Sequence, residues 1–266
     1  MKKMRVHHFA EMKARGEKIT MLTAYDFPTA AIFDAAGVDM LLVGDSLGNA
    51  MLGLPTTIPV TLDQMVTATR AVSTGATRAF IVGDLPFGSY EASPAQCHAS
   101  AVRLIKEGGA SAVKFEGGAH LAEHVALLTR SGIPVVGHLG FTPQSENTLG
   151  GKRIQGRGDG AVEKLLADAT SLQDAGAFAV VLEMVPAPVA AEVTAALRIP
   201  TIGIGAGVDC DGQVLVWTDI AGLGDWSPSF AKRYADIGAA LQRAAEEYVA
   251  EVRSAAFPDP EHSFEK

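Results

Sequence analysis

Six short apolar runs in this chain each stop at an ionisable side chain, and no other feature limits its fold so sharply. Met40–Val43 leads to Asp45, Phe80–Val82 to Asp84, and Ala112–Phe115, with Lys114 inside it, to Glu116. Ile133–Val136 leads to His138, Ala179–Leu182 to Glu183, and Val214–Trp217 to Asp219. The runs are too short for helices and too continuously apolar for a sheet wetted on one face. They read as strands buried on both sides, as in parallel sheets. Stretches of helical length separate most of them. In βα architectures the functional groups sit at the carboxyl ends of the strands, and that is where these charges fall.

The chain has 266 residues, close to the roughly 250 typical of a (β/α)8 barrel. The expectation is an α/β fold, a (β/α)8 TIM barrel with an N-terminal capping helix and a C-terminal helical extension, forming one domain over residues 1–266. A net charge of −8, with the basic residues scattered, provides no field for nucleic acid or anionic lipid. Two cysteines, Cys97 and Cys210, lack the spacing of a disulfide framework or a zinc site. The first ten residues carry no apolar core of signal-peptide length, and no run approaches a membrane span. A cytoplasmic protein is expected.

Helix 6–15, ending at Gly16, suits the bottom of a barrel, and strand 19–24 follows. Pro28 and Gly37 bracket the next helix in the usual proline-first, glycine-last order. Two long glycine-rich stretches, 46–60 and 140–158, stand out as lids, since loops of that length usually serve function. Helices are expected near 62–73, 93–106, 121–129, 159–175, with Asp159 as N-cap, and 189–197. Strands 201–204 and 213–217 complete the set of eight, a helix covers 229–255, and Phe264 is a candidate anchor for the tail.

Asp45, Asp84, Glu116 and Glu183 would converge at one barrel mouth. Packed carboxylates either raise each other's pKa or share a cation. Hard carboxylate donors without a cysteine or histidine partner favour Mg²⁺, Mn²⁺ or a similar ion over Zn²⁺. Single strand-end acids also serve as helix caps, so the argument rests on all four together. Lys114 and Glu116 are two residues apart in a strand and share a face. Lys114 can there neutralise acids or hold a substrate oxygen; a structural ion pair and a Schiff-base nucleophile are the competing readings. Glu183 has apolar neighbours on both sides, which raises a carboxylate toward the range of a general base. His138 reads either as a hydrogen-bonded wall residue or as a catalyst. Gly203–Gly207 lacks the full dinucleotide fingerprint, and Arg157-Gly158-Asp159 reads as chance.

Several longer motifs, in order along the chain, resemble one family. They are Leu42-Val43-Gly44-Asp45-Ser46-Leu47-Gly48, Asp84-Leu85-Pro86-Phe87, Val113-Lys114-Phe115-Glu116-Gly117-Gly118, the segment Gly137 to Ser145, Gln155-Gly156-Arg157 and Gly203-Ile204-Gly205-Ala206-Gly207. They are similar to those of the ketopantoate hydroxymethyltransferases, and the likeness runs from Ile19 to Phe264. It implies a (β/α)8 barrel, Mg²⁺ dependence and a role in pantothenate biosynthesis. There a one-carbon unit passes from 5,10-methylenetetrahydrofolate to 3-methyl-2-oxobutanoate, giving 2-dehydropantoate. By motif, Asp45, Asp84 and Glu116 match the metal site, Asp45, Ser46, Asp84 and Lys114 match substrate contacts, and Glu183 matches the base. The resemblance also implies a homo-oligomer, often a decamer, and no nucleic-acid or membrane partner. The alternative reading is a Mg²⁺-dependent carbon–carbon lyase or mutase acting on 2-oxo acids.

Overall fold

The computed structural model describes residues 2–158 and 160–264. Two compact units divide the chain, one running to Val216 and the other from Trp217. In the first, eight parallel strands close into a barrel in sequence order. They are β1 (Ile19–Thr23), β2 (Met40–Val43), β3 (Phe80–Asp84), β4 (Ala112–Glu116), β5 (Val135–Gly140), β6 (Ala179–Glu183), β7 (Thr201–Ile204) and β8 (Gly212–Leu215). The expected (β/α)8 architecture is what the chain adopts.

Helix α1 (Val6–Arg15) precedes the barrel and ends at Gly16, whose φ of 68° is the left-handed conformation that glycine adopts without a Cβ penalty. It closes one end of the barrel through Phe9, which is fully buried. The Phe9 ring meets Phe80 edge-on at 5.3 Å and stacks on Phe178 at 6.0 Å. Between the strands lie α2 (Phe27–Ala35), α3 (Leu47–Met51), α4 (Leu62–Gly75), α5 (Pro94–Lys106), α6 (Ala122–Arg130), α7 (Glu146–Leu149), α8 (Ala161–Asp174) and α9 (Ala187–Ala196). Their starts follow local chemistry: Asp26, Thr61 and Ser93 each accept a backbone N–H from the first turn of the helix they precede.

Strand periodicity explains both the apolar runs and their polar ends. In β3 to β6 the residues at Phe80 and Val82, Ala112, Val136, and Ala179 and Val181 belong to the barrel's core cluster. Continuing each series by two reaches Asp84, Lys114 and Glu116, His138, and Glu183. The intervening residues face the helices: a Cβ on Gly83 would touch Leu104 and Thr69, and one on Gly137 would strike Leu172. Both faces are therefore packed. The register pairs Asp84 with Lys114, Glu116 with His138, and Gly140 with Glu183, so the polar residues lie side by side around the mouth.

Some boundaries differ from expectation. Strand β5 begins two residues later and runs to Gly140, which places His138 inside it rather than beyond its tip. The stretch 46–60 contains α3, and 140–158 contains a 3₁₀ turn (Pro143–Ser145) and α7. Asp159, expected as an N-cap, lies outside the described residues. Asp219 is not at a strand tip, because β8 stops at Leu215 and Asp219 falls in the short helix α10 (Trp217–Ala221) of the second unit. That unit also holds α11 (Ile237–Ser254), which starts eight residues later than expected, and a 3₁₀ turn at Pro260–His262. Phe264 is fully exposed and anchors nothing.

Candidate active site

The C-terminal mouth of the barrel gathers an ionic cluster inside a closed apolar wall. Asp45, Asp84, Lys114, Glu116 and His138 are each at most 5% exposed. Lys114 Nζ lies 2.9 Å from Asp84 Oδ1, and the Asp45 backbone N–H reaches Asp84 Oδ2 at 3.3 Å. His138 bridges the cluster to Glu183: its Nδ1 is 3.4 Å from Glu116 Oε1 and 3.3 Å from Lys114 Nζ, while its Nε2 is 3.1 Å from Glu183 Oε2. Ser46, at the start of α3, shares a 2.8 Å hydrogen bond with the Tyr25 hydroxyl beyond β1. Asp45, Ser46, Asp84, Lys114, Glu116 and Glu183, singled out from the sequence as site residues, thus lie at or just beyond the ends of β2, β3, β4 and β6, with His138 on β5 between them. Lys114 contacts only part of the set directly, through Asp84 and His138.

The electrostatics follow from this crowding. Burial, then the neighbouring charges of Asp84 and Glu116, push the Asp45 carboxyl up to about 8. Asp84 is also raised, by burial above all, against the pull of Lys114. Burial disfavours the Lys114 ammonium, but Asp84, Glu116 and Asp45 outweigh it and lift the group to about 12. A lysine held protonated in this way is no Schiff-base nucleophile in this state. His138 is opposed by burial and by Lys114, yet the carboxylates of Glu116 and Glu183 raise it to about 9. Four carboxyl groups, counting Glu183, face two bases, and the raised Asp45 and Asp84 keep protons that a bound cation would displace.

Glu183 is set by unusual backbone. Met184, directly after it, has a φ of 50°, a left-handed conformation that costs a side-chain-bearing residue roughly 1–2 kcal/mol. The Met184 N–H is held by the Ile204 carbonyl at 2.9 Å. Across from it, Phe141 donates its N–H to the Glu183 carbonyl at 2.8 Å, and Gly140, at φ 90°, leaves no room for a Cβ, which would sit 2.2 Å from that oxygen. Backbone strain of this kind is concentrated where a side chain must be aimed.

A divalent cation fits the donors present. The oxygens are hard carboxylates, and Glu116 Oε1 is buried without a well-formed hydrogen bond. Among the described residues no group of three or more His, Cys, Asp or Glu side chains converges in metal-holding geometry. Mg²⁺ takes one or two carboxylates and fills its other positions with water and substrate oxygens.

Two residues with no assigned role before the structure are central to the cluster. Gln144 and Tyr90 are both buried and bonded to it, Gln144 through Asp45 and Glu116, Tyr90 through Gln144 and the Glu116 backbone. Both lie in loops, outside any strand period. For Gln144 the signals are its position within the long segment after β5 and its place in the Gly137 to Ser145 motif.

Fold and site together define a (β/α)8-barrel enzyme with a buried acid–lysine cluster at the strand C-termini. Comparison with known proteins gives the particular family. The family model for ketopantoate hydroxymethyltransferase matches residues 3–260. A 3-methyl-2-oxobutanoate hydroxymethyltransferase of Saccharopolyspora erythraea is 60% identical over 265 residues, covering 99% of this chain and 90% of that one. One from Mycobacterium tuberculosis is 57% identical over 263 residues, covering 98% and 93%. The chain belongs to the ketopantoate hydroxymethyltransferase family. Among solved structures, 2,3-dimethylmalate lyase, a PEP mutase/isocitrate lyase superfamily member, shares the fold with a TM-score of 0.59 at 15% identity, over 98% of this chain and 92% of that one. No helix among the described residues is long and apolar enough to cross a membrane.

Proposed function

We propose that this chain transfers a hydroxymethyl group from 5,10-methylenetetrahydrofolate to 3-methyl-2-oxobutanoate, with water, giving 2-dehydropantoate and tetrahydrofolate in pantothenate biosynthesis. The observation that carries the reading is the pairing, in one mouth, of a buried acid–lysine cluster with a separately aimed glutamate. The names of the relatives, at 57–60% identity over nearly their full length, support it.

Asp45 and Asp84 would hold Mg²⁺, with Glu116 as the third acid of the site. When bound, the cation supplies Lewis-acid stabilisation of the charge that develops on the 2-oxo acid. Ser46 and Lys114 contact that substrate. Lys114, fixed 2.9 Å from Asp84, keeps a full positive charge beside the developing enolate oxygen. Glu183 takes the proton from C3, and the enolate carbon bonds to the folate-borne methylene carbon as one of its two C–N bonds breaks, that nitrogen receiving the proton. Water then replaces the second nitrogen, its hydroxyl staying on the methylene carbon and its proton leaving with tetrahydrofolate. His138, 3.1 Å from Glu183 Oε2, orients the carboxylate between turnovers. The segments 46–60 and 140–158 limit water at the mouth.

The reading also includes a single catalytic barrel domain, a cytoplasmic location and assembly into a homo-oligomer, a decamer by family resemblance. Incubating purified protein with both substrates and Mg²⁺ tests the reaction. Formation of 2-dehydropantoate that requires the folate is the expected result. Proton exchange at C3 without any folate-dependent product would instead favour the lyase or mutase reading.

A further inference from the structure

Gln144 uses both ends of its side-chain amide and its backbone N–H. Its side-chain nitrogen donates to Asp45 Oδ2 at 2.9 Å and to the Leu85 carbonyl at 3.0 Å. Its backbone N–H donates to Glu116 Oε2 at 3.0 Å. Its Oε1 accepts the Tyr90 hydroxyl at 2.6 Å. One residue of the 3₁₀ turn after β5 therefore grips two acids of the cluster, and does so with two different groups.

The amide can serve this purpose in only one orientation. Reversed, its oxygen would oppose the Leu85 carbonyl, which can only accept, and the ionised Asp45 carboxylate that a cation requires. Tyr90 selects the working orientation. Its oxygen accepts the Glu116 N–H at 3.3 Å, and its proton goes to Gln144 Oε1, with the Glu116 carbonyl farther away at 3.1 Å. Tyr90 is 2% exposed and packs its ring on Phe115 at 5.3 Å, so the hydroxyl itself is fixed. Partners that orient ligating carboxylates govern metal affinity nearly as much as the ligands do.

We propose that Gln144, locked in orientation by Tyr90, is a positioning residue that holds Asp45 and Glu116 in place to receive the divalent cation. The proposal rests on the cation reading given above. It makes the segment after β5 part of the cation site's frame and not only a cover over it.

The test is Mn²⁺ binding to the purified full chain, read from the electron paramagnetic resonance signal of the free ion, with near-ultraviolet circular dichroism reporting the fold. Gln144→Met, which keeps the side-chain volume and removes the amide, should weaken Mn²⁺ binding about 10–100-fold. Tyr90→Phe removes only a hydroxyl and should weaken it about 2–10-fold, as loss of one buried hydrogen bond does. The double variant should bind no worse than Gln144→Met, because the two substitutions interrupt one linkage. A purely structural role would lower stability and leave Mn²⁺ affinity alone; affinities within two-fold of wild type in both variants overturn the proposal. Loss in Gln144→Met with none in Tyr90→Phe overturns the lock. If Gln144→Met does not fold, Tyr90→Phe decides. Wild-type protein that takes up no Mn²⁺ overturns the cation reading, and this proposal with it.

Discussion

The two rims of the barrel treat buried carboxylates in opposite ways. At the rim where the strands begin, Asp34 at the end of α2 accepts the backbone N–H groups of Thr77, Arg78 and Ala79 and the Thr77 hydroxyl. Burial works against its charge, but these donors prevail and hold its pKa below the ordinary value. On the same rim Asp39 meets Arg78 at 2.9 Å, and Asp211 meets Lys13 at 2.7 Å while accepting the Thr201 N–H at 2.8 Å. At the rim where the strands end, Asp45 and Asp84 are pushed up instead, and Glu116 keeps one oxygen without a well-formed bond. The first rim uses carboxylates as fasteners. The second holds them short of partners, which is a cost to the folded chain that only a bound cation or a proton relieves. Sites of function tend to carry such a cost.

On that contrast, the largest effect belongs to the strand-end rim and concerns rate alone. Glu183→Gln should lower turnover roughly 10²–10⁴-fold while leaving Mg²⁺ affinity close to wild type, as steady-state rates beside metal titrations would reveal. The next belongs to the opposite rim and concerns stability alone. Asp34→Ala strands three backbone donors and should cost about 3 kcal/mol in urea unfolding, with normal kinetics in the protein that remains folded. Its pH signature is signed: a depressed native pKa contributes stability in full above the unfolded value of about 3.9 and loses it as pH falls through the native one. Asp84→Ala should abolish the rise in melting temperature caused by Mg²⁺, which in wild type reflects about 2.7 kcal/mol at a hundred-fold excess over Kd. The smallest effect has the opposite sign. With its pKa raised to about 8, Asp45 lowers metal-free stability progressively as pH rises from the ordinary aspartate range through about 8. Asp45→Asn should therefore stabilise the metal-free protein at alkaline pH by about 1 kcal/mol, while losing activity. A destabilised Asp45→Asn protein would erase the distinction between the rims.

How far the sequence discloses this arrangement follows from where periodicity operates. Barrel strands buried on both faces read as continuous apolar runs, so β2, β3, β4, β6 and β7 were legible, as were the acids at or just beyond the ends of β2, β3, β4 and β6. The α1 plug was legible too, from a short amphipathic stretch closed by Gly16. Strand β5 was misplaced because Gly137 and His138 interrupt its apolar run, although the backbone stays extended through both. Asp219 misled for the reverse reason: an apolar segment, Val214–Trp217, passes from strand into helix without a change of hydropathy. Gln144 and Tyr90 belong to loops, where side chains are chosen for single contacts with distant elements, and no spacing rule brings Asp45, Glu116 and Leu85 together around an amide. The Met184 conformation is likewise invisible in its residue type.

The most direct test of the account follows the C3 proton of 3-methyl-2-oxobutanoate by NMR in D₂O, with wild-type protein and Glu183→Gln, in Mg²⁺ and then in excess EDTA. The account predicts exchange by wild type that EDTA stops and that Glu183→Gln lacks even with Mg²⁺ present. Exchange that survives in Glu183→Gln, or that proceeds equally in EDTA, would contradict it.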